Sequence, residues 1–236
     1  MKQTNEITMV DPLLATVETE GKNLTFDALH TQTKTASLVV EKYKAHYFFT
    51  VKGNQPTLMD DIAFHFKNNP GESEFTDIEP GTHGRIETRQ IWSTTELNDY
   101  LTFPHVKQVF KIKRTRFHLK TRKETTEVVY GITSRPKEEA SSEDVLKIMR
   151  KHWSVENSCH YILDWAYHED HCRIRTGYGP ENITALRRFS IGVLKSKTVG
   201  SIKQKMRELS FKTRPVMDLL KMTKNSKSNP SAKLVT

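Results

Sequence analysis

Between His152 and Asp170 the chain reads HWSVENSCHYILDWAYHED, three histidines and four carboxylates within nineteen residues. Side chains of these types hold divalent cations, move protons or pair with one another. On a helix, Glu156, His160 and Asp164 fall at i, i+4 and i+8 and form one row. That row borders a stripe of Val145, Ile148, His152, Val155, Cys159, Ile162 and Ala166 at three- and four-residue steps, which predicts a face turned to the core. A carboxylate at a strand end could meet the row, and Asp27, closing the strand-like NLTFDA (23–28), is the candidate. Carboxylates gathered with open positions for water and phosphate suit a hard cation such as Mg²⁺. The row equally suits the solvated face of an ordinary helix. A zinc site built from Cys159, His160, His168, His171 and Cys172 matches no standard ligand spacing.

The elements that must position these residues follow from apolar spacing. Residues 5–17 have helical periodicity, 23–28 read as a short strand, TQTKTASLVVEKYKA as a helix, HYFFTVKG as a strand and QPTLMDDIAFHFKNN as a helix entered through Pro56. Strand, helix, strand, helix predicts a parallel α/β unit over 1–68. Residues 69–84 gather Pro, Gly and acids. RIETRQIWS, VKQVFKIKRTRFHLK and TTEVVYGITS then alternate as strands, which predicts an antiparallel β-rich insertion over 69–140. A long helix capped by Ser141 or Ser142, with Glu143 and Asp144 in its first turn, opens a third segment, 141–222, completed by two more helices. The polar tail 223–236 lacks periodicity and is expected to be disordered.

The formal net charge of +9, from 37 Lys and Arg against 28 acids, favours a polyanionic partner, nucleic acid first. Two cysteines write no disulfide framework and fit a reducing cytoplasm. No stretch is apolar for long enough to suggest a membrane. The densest basic segment, KIKRTRFHLKTRK, supplies Lys111, Lys113, Arg114, Arg116, Lys120, Arg122 and Lys123 as a ribbon that could track a phosphate backbone. Its apolar parity slips between Ile112 and Phe117, which predicts a bulge or turn. Arg173, Arg175, Arg187 and Arg188 form a second basic set. His83, Arg85 and Arg89 are read as DNA or active-site contacts, and Lys52 and Asn54, at a strand end, as lining the same cleft or forming a simple Gly turn.

The segment RKHWSVENSCHYILDWAYHEDHCRIRTGYGPENITALRR resembles the R-x-H-W-x-I-E-N block of the ISAs-type, H-repeat-associated insertion-sequence transposases, a branch of the DDE superfamily. TNEIT (4–8), TFDALHTQ (25–32), FFTVKGNQ (48–55), HGRIETR (83–89) and YGITS (130–134) extend the resemblance in order along nearly the whole chain. The resemblance implies a ribonuclease-H-like catalytic core in which Asp, Asp and Glu bind two divalent cations, Mg²⁺ or Mn²⁺, for strand cleavage and transfer on transposon-end and target DNA. By motif Asp27 is the second acid and Glu156 the third, 129 residues apart, with Arg150 and His152 as basic residues near the scissile phosphate and His160 and Asp164 as accessory groups. The first acid has no counterpart. The expectation is therefore an N-terminally truncated core with little activity alone, or a module that occupies DNA ends or pairs with full-length transposase, or with itself.

Overall fold

A computed structural model describes residues 6–81, 84–155, 161–197 and 202–220. It divides into two compact units, 1–153 and 154–236. The first is a mixed α/β unit around one six-stranded sheet. In chain order it comprises a short helical entry (Glu6–Met9) running into α1 (Val10–Leu14), then β1 (Asn23–Phe26), α2 (Thr33–Ser37) with a π-helical extension (Leu38–Lys42), β2 (His46–Val51) and α3 (Pro56–Asn68). Four strands follow, β3 (Phe75–Glu79), β4 (Arg85–Thr94), β5 (Gln108–His118) and β6 (Glu124–Thr133), and then α4 (Ser142–Val155).

The spatial order is β1-β2-β6-β5-β4-β3. Only β1 and β2 are parallel, joined by the α2 crossover, and every other pair is antiparallel. The strands of the predicted insertion thus continue the same sheet through the β2–β6 pair. β2 is buried at five of its six positions and reads HYFFTV without alternation, as a strand covered on both faces should.

One face packs Tyr47, Phe49, Val51, Val109 and Ile132 against α1, the α2 crossover and α3. Leu58, Ile62 and Phe66 come from α3 at four-residue steps. The other face packs Phe48, Ile91, Phe110 and Ile112 under Val145, Leu146 and Met149 of α4. The α4 apolar row is therefore centred on Val145, Leu146 and Met149, with Ile148 at its margin. Gly131 makes this close packing possible. A Cβ built there would lie 2.2 Å from the Phe110 ring and 2.7 Å from the Phe49 carbonyl oxygen, so the cross-strand pair Phe110–Gly131 works only with no side chain on one partner.

Two sequence expectations are corrected. β3 lies in the Pro-, Gly- and acid-rich stretch 69–84, ahead of the predicted strands, and the β4–β5 register runs without interruption from Arg85–His118 to Thr94–Val109, with no bulge. The parity change between Ile112 and Phe117 arises because the two residues sit on opposite faces, Phe117 across from Ile86.

β1 lies at the edge of the sheet, and among the described residues nothing pairs with its outer side. Every residue from Asn23 to Asp27 borders a groove of about 860 Å³ whose far wall is Met9, Val10, Leu13 and Leu14.

The second unit holds α5 (Tyr161–Tyr167), a short turn at Glu169–His171, α6 (Gly179–Lys197), α7 (Ile202–Ser210) and α8 (Thr213–Leu219). Leu163, Ile191 and Leu194 are its buried apolar residues among those described. The sequence reading had two helices after Gly179, and α8 adds a third. Glu156, Cys159, His160, His83 and the 223–236 tail lie outside the described residues. No described helix is long and apolar enough to cross a membrane.

Candidate active site

β1 reads NLTF, and its pleat sends Leu24 and Phe26 into the α1–α3 core while Thr25 faces the α4 side. The chain leaves the strand at Asp27, at the carboxyl end of a parallel pair, where ligands gather in open α/β sheets. The turns after β1 and β2 are tied together there. Asn54 Nδ2 donates to the Ala28 carbonyl (2.6 Å), Gln55 Nε2 to the Thr31 carbonyl (2.9 Å), and the buried Thr31 hydroxyl to the Thr50 carbonyl (2.8 Å). Lys52 is exposed beside them. Asn54 accordingly braces the Asp27 turn from the next loop.

His152 reaches this strand end from α4. Its Nε2 lies 3.0 Å from Asp27 Oδ1 and its Nδ1 3.0 Å from Thr25 Oγ1. A carboxylate only accepts, so Nε2 carries the hydrogen, and in the neutral ring Nδ1 then accepts from the Thr25 hydroxyl. The His152 side chain is 17% exposed and the Asp27 side chain 83%. One carboxylate oxygen is thus oriented by an enclosed imidazole while the group stays open to solvent. Thr25 was not among the residues singled out from the sequence. Its signal was its position two residues before Asp27, the spacing that shares a strand face.

Three contacts fix α4 over the sheet. At its start the Ser141 hydroxyl accepts from the Asp144 N–H (3.3 Å) and Asp144 accepts from the Ser141 N–H (3.1 Å), a reciprocal cap. Beside it Glu74 accepts from Ser142, Ser93 and Lys137. In its middle Arg150 donates to Asp77 (2.7 Å) and Glu79 (3.0 Å) of β3. At its end stands the His152 contact with Thr25 and Asp27. The structure therefore brings His152 to Asp27 and commits Arg150 to β3.

The same face holds an ion network. Glu87, with 4% of its side chain exposed, meets Arg89 at 2.5 Å, bonds Arg114 Nε, and lies 3.5 Å from Arg85 and 4.0 Å from Arg116. Burial works to raise the Glu87 carboxyl, but the Arg114 hydrogen bond and the charges of Arg89, Arg114 and Arg116 outweigh it and hold the group below the usual carboxylate range. Arg89 was read as a DNA contact. Its side chain is only 7% exposed, with Nη1 taken up by Asp77 and Glu79 of β3 and Nη2 by Glu87 of its own strand, while Nε is buried without a hydrogen-bond partner.

The basic ribbon separates by face. Arg114 and Arg116 point into the network, and Arg116 also meets Glu127 at 3.4 Å. Lys111 lies over the Trp92 ring, 4.0 Å from its centroid, and burial holds its ammonium below the usual lysine range, helped by Lys113. Lys120, Arg122 and Lys123 are exposed at the β5–β6 hairpin tip, and the Leu119 N–H donates to the Gly84 carbonyl, which brings Arg85 alongside. In the second unit Arg173 and Arg175 are exposed, as is Asp164 on α5.

Among the described residues no three His, Cys, Asp or Glu side chains are grouped to hold a metal. Asp27 fits a divalent cation as one open oxygen ligand.

An edge parallel pair thus ends in an open carboxylate that a helix reaches back to meet. The chain is a member of the DDE transposases: the Transposase DDE domain family matches residues 2–187. Its place there is with the H-repeat-associated insertion-sequence group. It is 31% identical over 223 residues to the Putative protein YbfL and 30% identical over 223 residues to the H repeat-associated putative transposase YhhI, both of Escherichia coli K12. It is 28% identical over 232 residues to the Putative transposase YncI of Escherichia coli O157:H7. These alignments take in 89%, 89% and 92% of this chain and 57% of each relative, so the chain spans less than two thirds of the curated relatives it matches.

Proposed function

We propose that the chain serves metal-dependent cleavage and transfer of DNA strands in the transposition of an insertion sequence. The observation that carries this reading is the Thr25–His152–Asp27 contact, which holds the second motif acid beside the helix that leads, four residues after His152, to the third motif acid, Glu156. Asp27 and Glu156 would hold the divalent cation, Mg²⁺ or Mn²⁺. A cation bound there supplies a Lewis acid for the phosphodiester oxygens. His152 orients Asp27 by donating from Nε2, and Thr25 fixes the ring in that state. Asp164 and His160 are accessory groups. Lys120, Arg122 and Lys123 at the hairpin tip, with Arg85, His83, Lys113, Lys52, Arg173 and Arg175, contact transposon-end and target DNA.

The groove beside β1 favours a second reading, in which the chain pairs with a longer transposase or with itself through that edge and blocks it. Cleavage of transposon-end DNA by a full-length relative, titrated with this chain, separates the two. Dose-dependent inhibition that survives Asp27→Asn supports the pairing module. Metal-dependent cleavage of transposon-end DNA by this chain that Asp27→Asn abolishes supports the enzyme.

A further inference from the structure

The second unit has a basic cleft of about 310 Å³ between the segment 169–175 and the first turns of α6. Among the described residues Arg175, Arg187 and Arg188 line it, together with Cys172, Thr184 and one carboxylate, Glu169. Glu169 accepts the Thr184 hydroxyl at 3.0 Å and forms a loose ion pair with Arg187 Nη1 at 3.8 Å, too long for a hydrogen bond. Arg187 is 14% exposed, and its Nη1 is shielded from solvent with no hydrogen-bond partner. A buried guanidinium nitrogen left in that condition is unfavourable unless an acceptor fills the site. Arg175 donates one Nη1 hydrogen bond to the Ile174 carbonyl, and Arg188 is exposed at the rim.

We infer that this cleft is a phosphate subsite, in which Arg175, Arg187 and Arg188 take the oxygens of one phosphate group. Three guanidinium groups against one carboxylate leave the cleft positive, and planar guanidinium forks match tetrahedral oxyanions. The Cys172 thiol senses the same field. The Ile174 backbone N–H, then Arg187 and Arg175, hold it below the usual thiol range. The subsite stands on these residues alone. It rests on the transposase reading only for its natural source, a DNA backbone phosphate rather than a free phosphate ion.

Cys172 makes occupancy measurable in the full chain. Its alkylation by iodoacetamide, followed peptide by peptide with Cys159 as the internal control, is compared in chloride, in inorganic phosphate at matched ionic strength, and with duplex DNA. A filled cleft slows Cys172 alkylation several-fold and saturably. The protection disappears in Arg187→Gln, weakens in the exposed variant Arg175→Gln and partly returns in Arg187→Lys. Protection by phosphate and by duplex assigns the source to DNA, and protection by phosphate alone assigns it to a free ion. Cys172 alkylation at the chloride rate under both conditions overturns the inference. So does protection that persists in both glutamine variants, with Arg175→Gln guarding against misfolding of Arg187→Gln.

Discussion

Asp27 gains its geometry from a neighbour two residues back and another on a distant helix. Removing the Thr25 hydroxyl leaves His152 Nδ1 without its donor. Thr25→Val is expected to destabilise the chain by about 1 kcal/mol and to let the ring populate the other tautomer, seen as a shift of the His152 ring nitrogens in long-range ¹H–¹⁵N spectra. Thr25→Ser should restore the native pattern. Glu87 is the other residue whose charge is settled by its surroundings. Removing one partner of a buried ion network leaves the rest uncompensated, so Glu87→Gln should lower stability by about 3–5 kcal/mol. Because the folded carboxyl is held below its unfolded value, the stabilisation is fully present above the unfolded pKa and is lost as pH falls through the lower folded one. Urea denaturation from pH 6 to pH 3 should thus fall more steeply for the parent chain than for Glu87→Gln. Asp27 and His152 were legible from residue type and motif. Thr25 and the acids Asp77, Glu79 and Glu87 were not, since their partners are set by strand register and not by sequence spacing.

At the scale of elements, the parallel β1–β2 pair, α3 and the capped start of α4 followed directly from periodicity and capping residues. β3 did not, because FTDIE alternates acids with only Phe75 and Ile78 among Pro and Gly, and its acids serve to bind Arg89 and Arg150. The β5 parity change misled for a related reason. Beyond Ile112 the core gives way to the arginine network on one face, and the apolar residue moves to the other. A side chain at Gly131 would meet the Phe110 ring and the Phe49 carbonyl oxygen, and Gly131→Ala is expected to destabilise by about 1–3 kcal/mol, read as a lower thermal midpoint. The hairpin tip separates charge from fold. Arg122 holds φ +51°, a conformation that glycine adopts freely. Arg122→Gly should match or exceed the parent in stability, by up to about 1 kcal/mol, while weakening duplex binding and reducing the slope of log K against log salt by about 0.9. Fluorescence anisotropy over a salt series reads both DNA quantities.

At the scale of the molecule, nothing among the described residues pairs with the edge at β1, next to the strand end that carries Asp27 and beside a mostly apolar groove. Exposed strand edges recruit other strands unless blocked by charge, Pro or a covering element. The outer side of β1 is flanked by Met9 and Leu13, 47% and 65% exposed, and no charge interrupts Leu24–Phe26. Self-association that grows with concentration and is suppressed by Leu13→Lys, followed by sedimentation velocity, is the expected behaviour of the free chain. The proposed role of Asp27 is to hold a divalent cation. Fe²⁺ with ascorbate, substituted for Mg²⁺ in the full chain, cuts backbone next to the bound ion. The account predicts cuts around residues 27 and 156 that Mg²⁺ competes away and Asp27→Asn abolishes. Cuts confined elsewhere, or unchanged by Asp27→Asn, would contradict it.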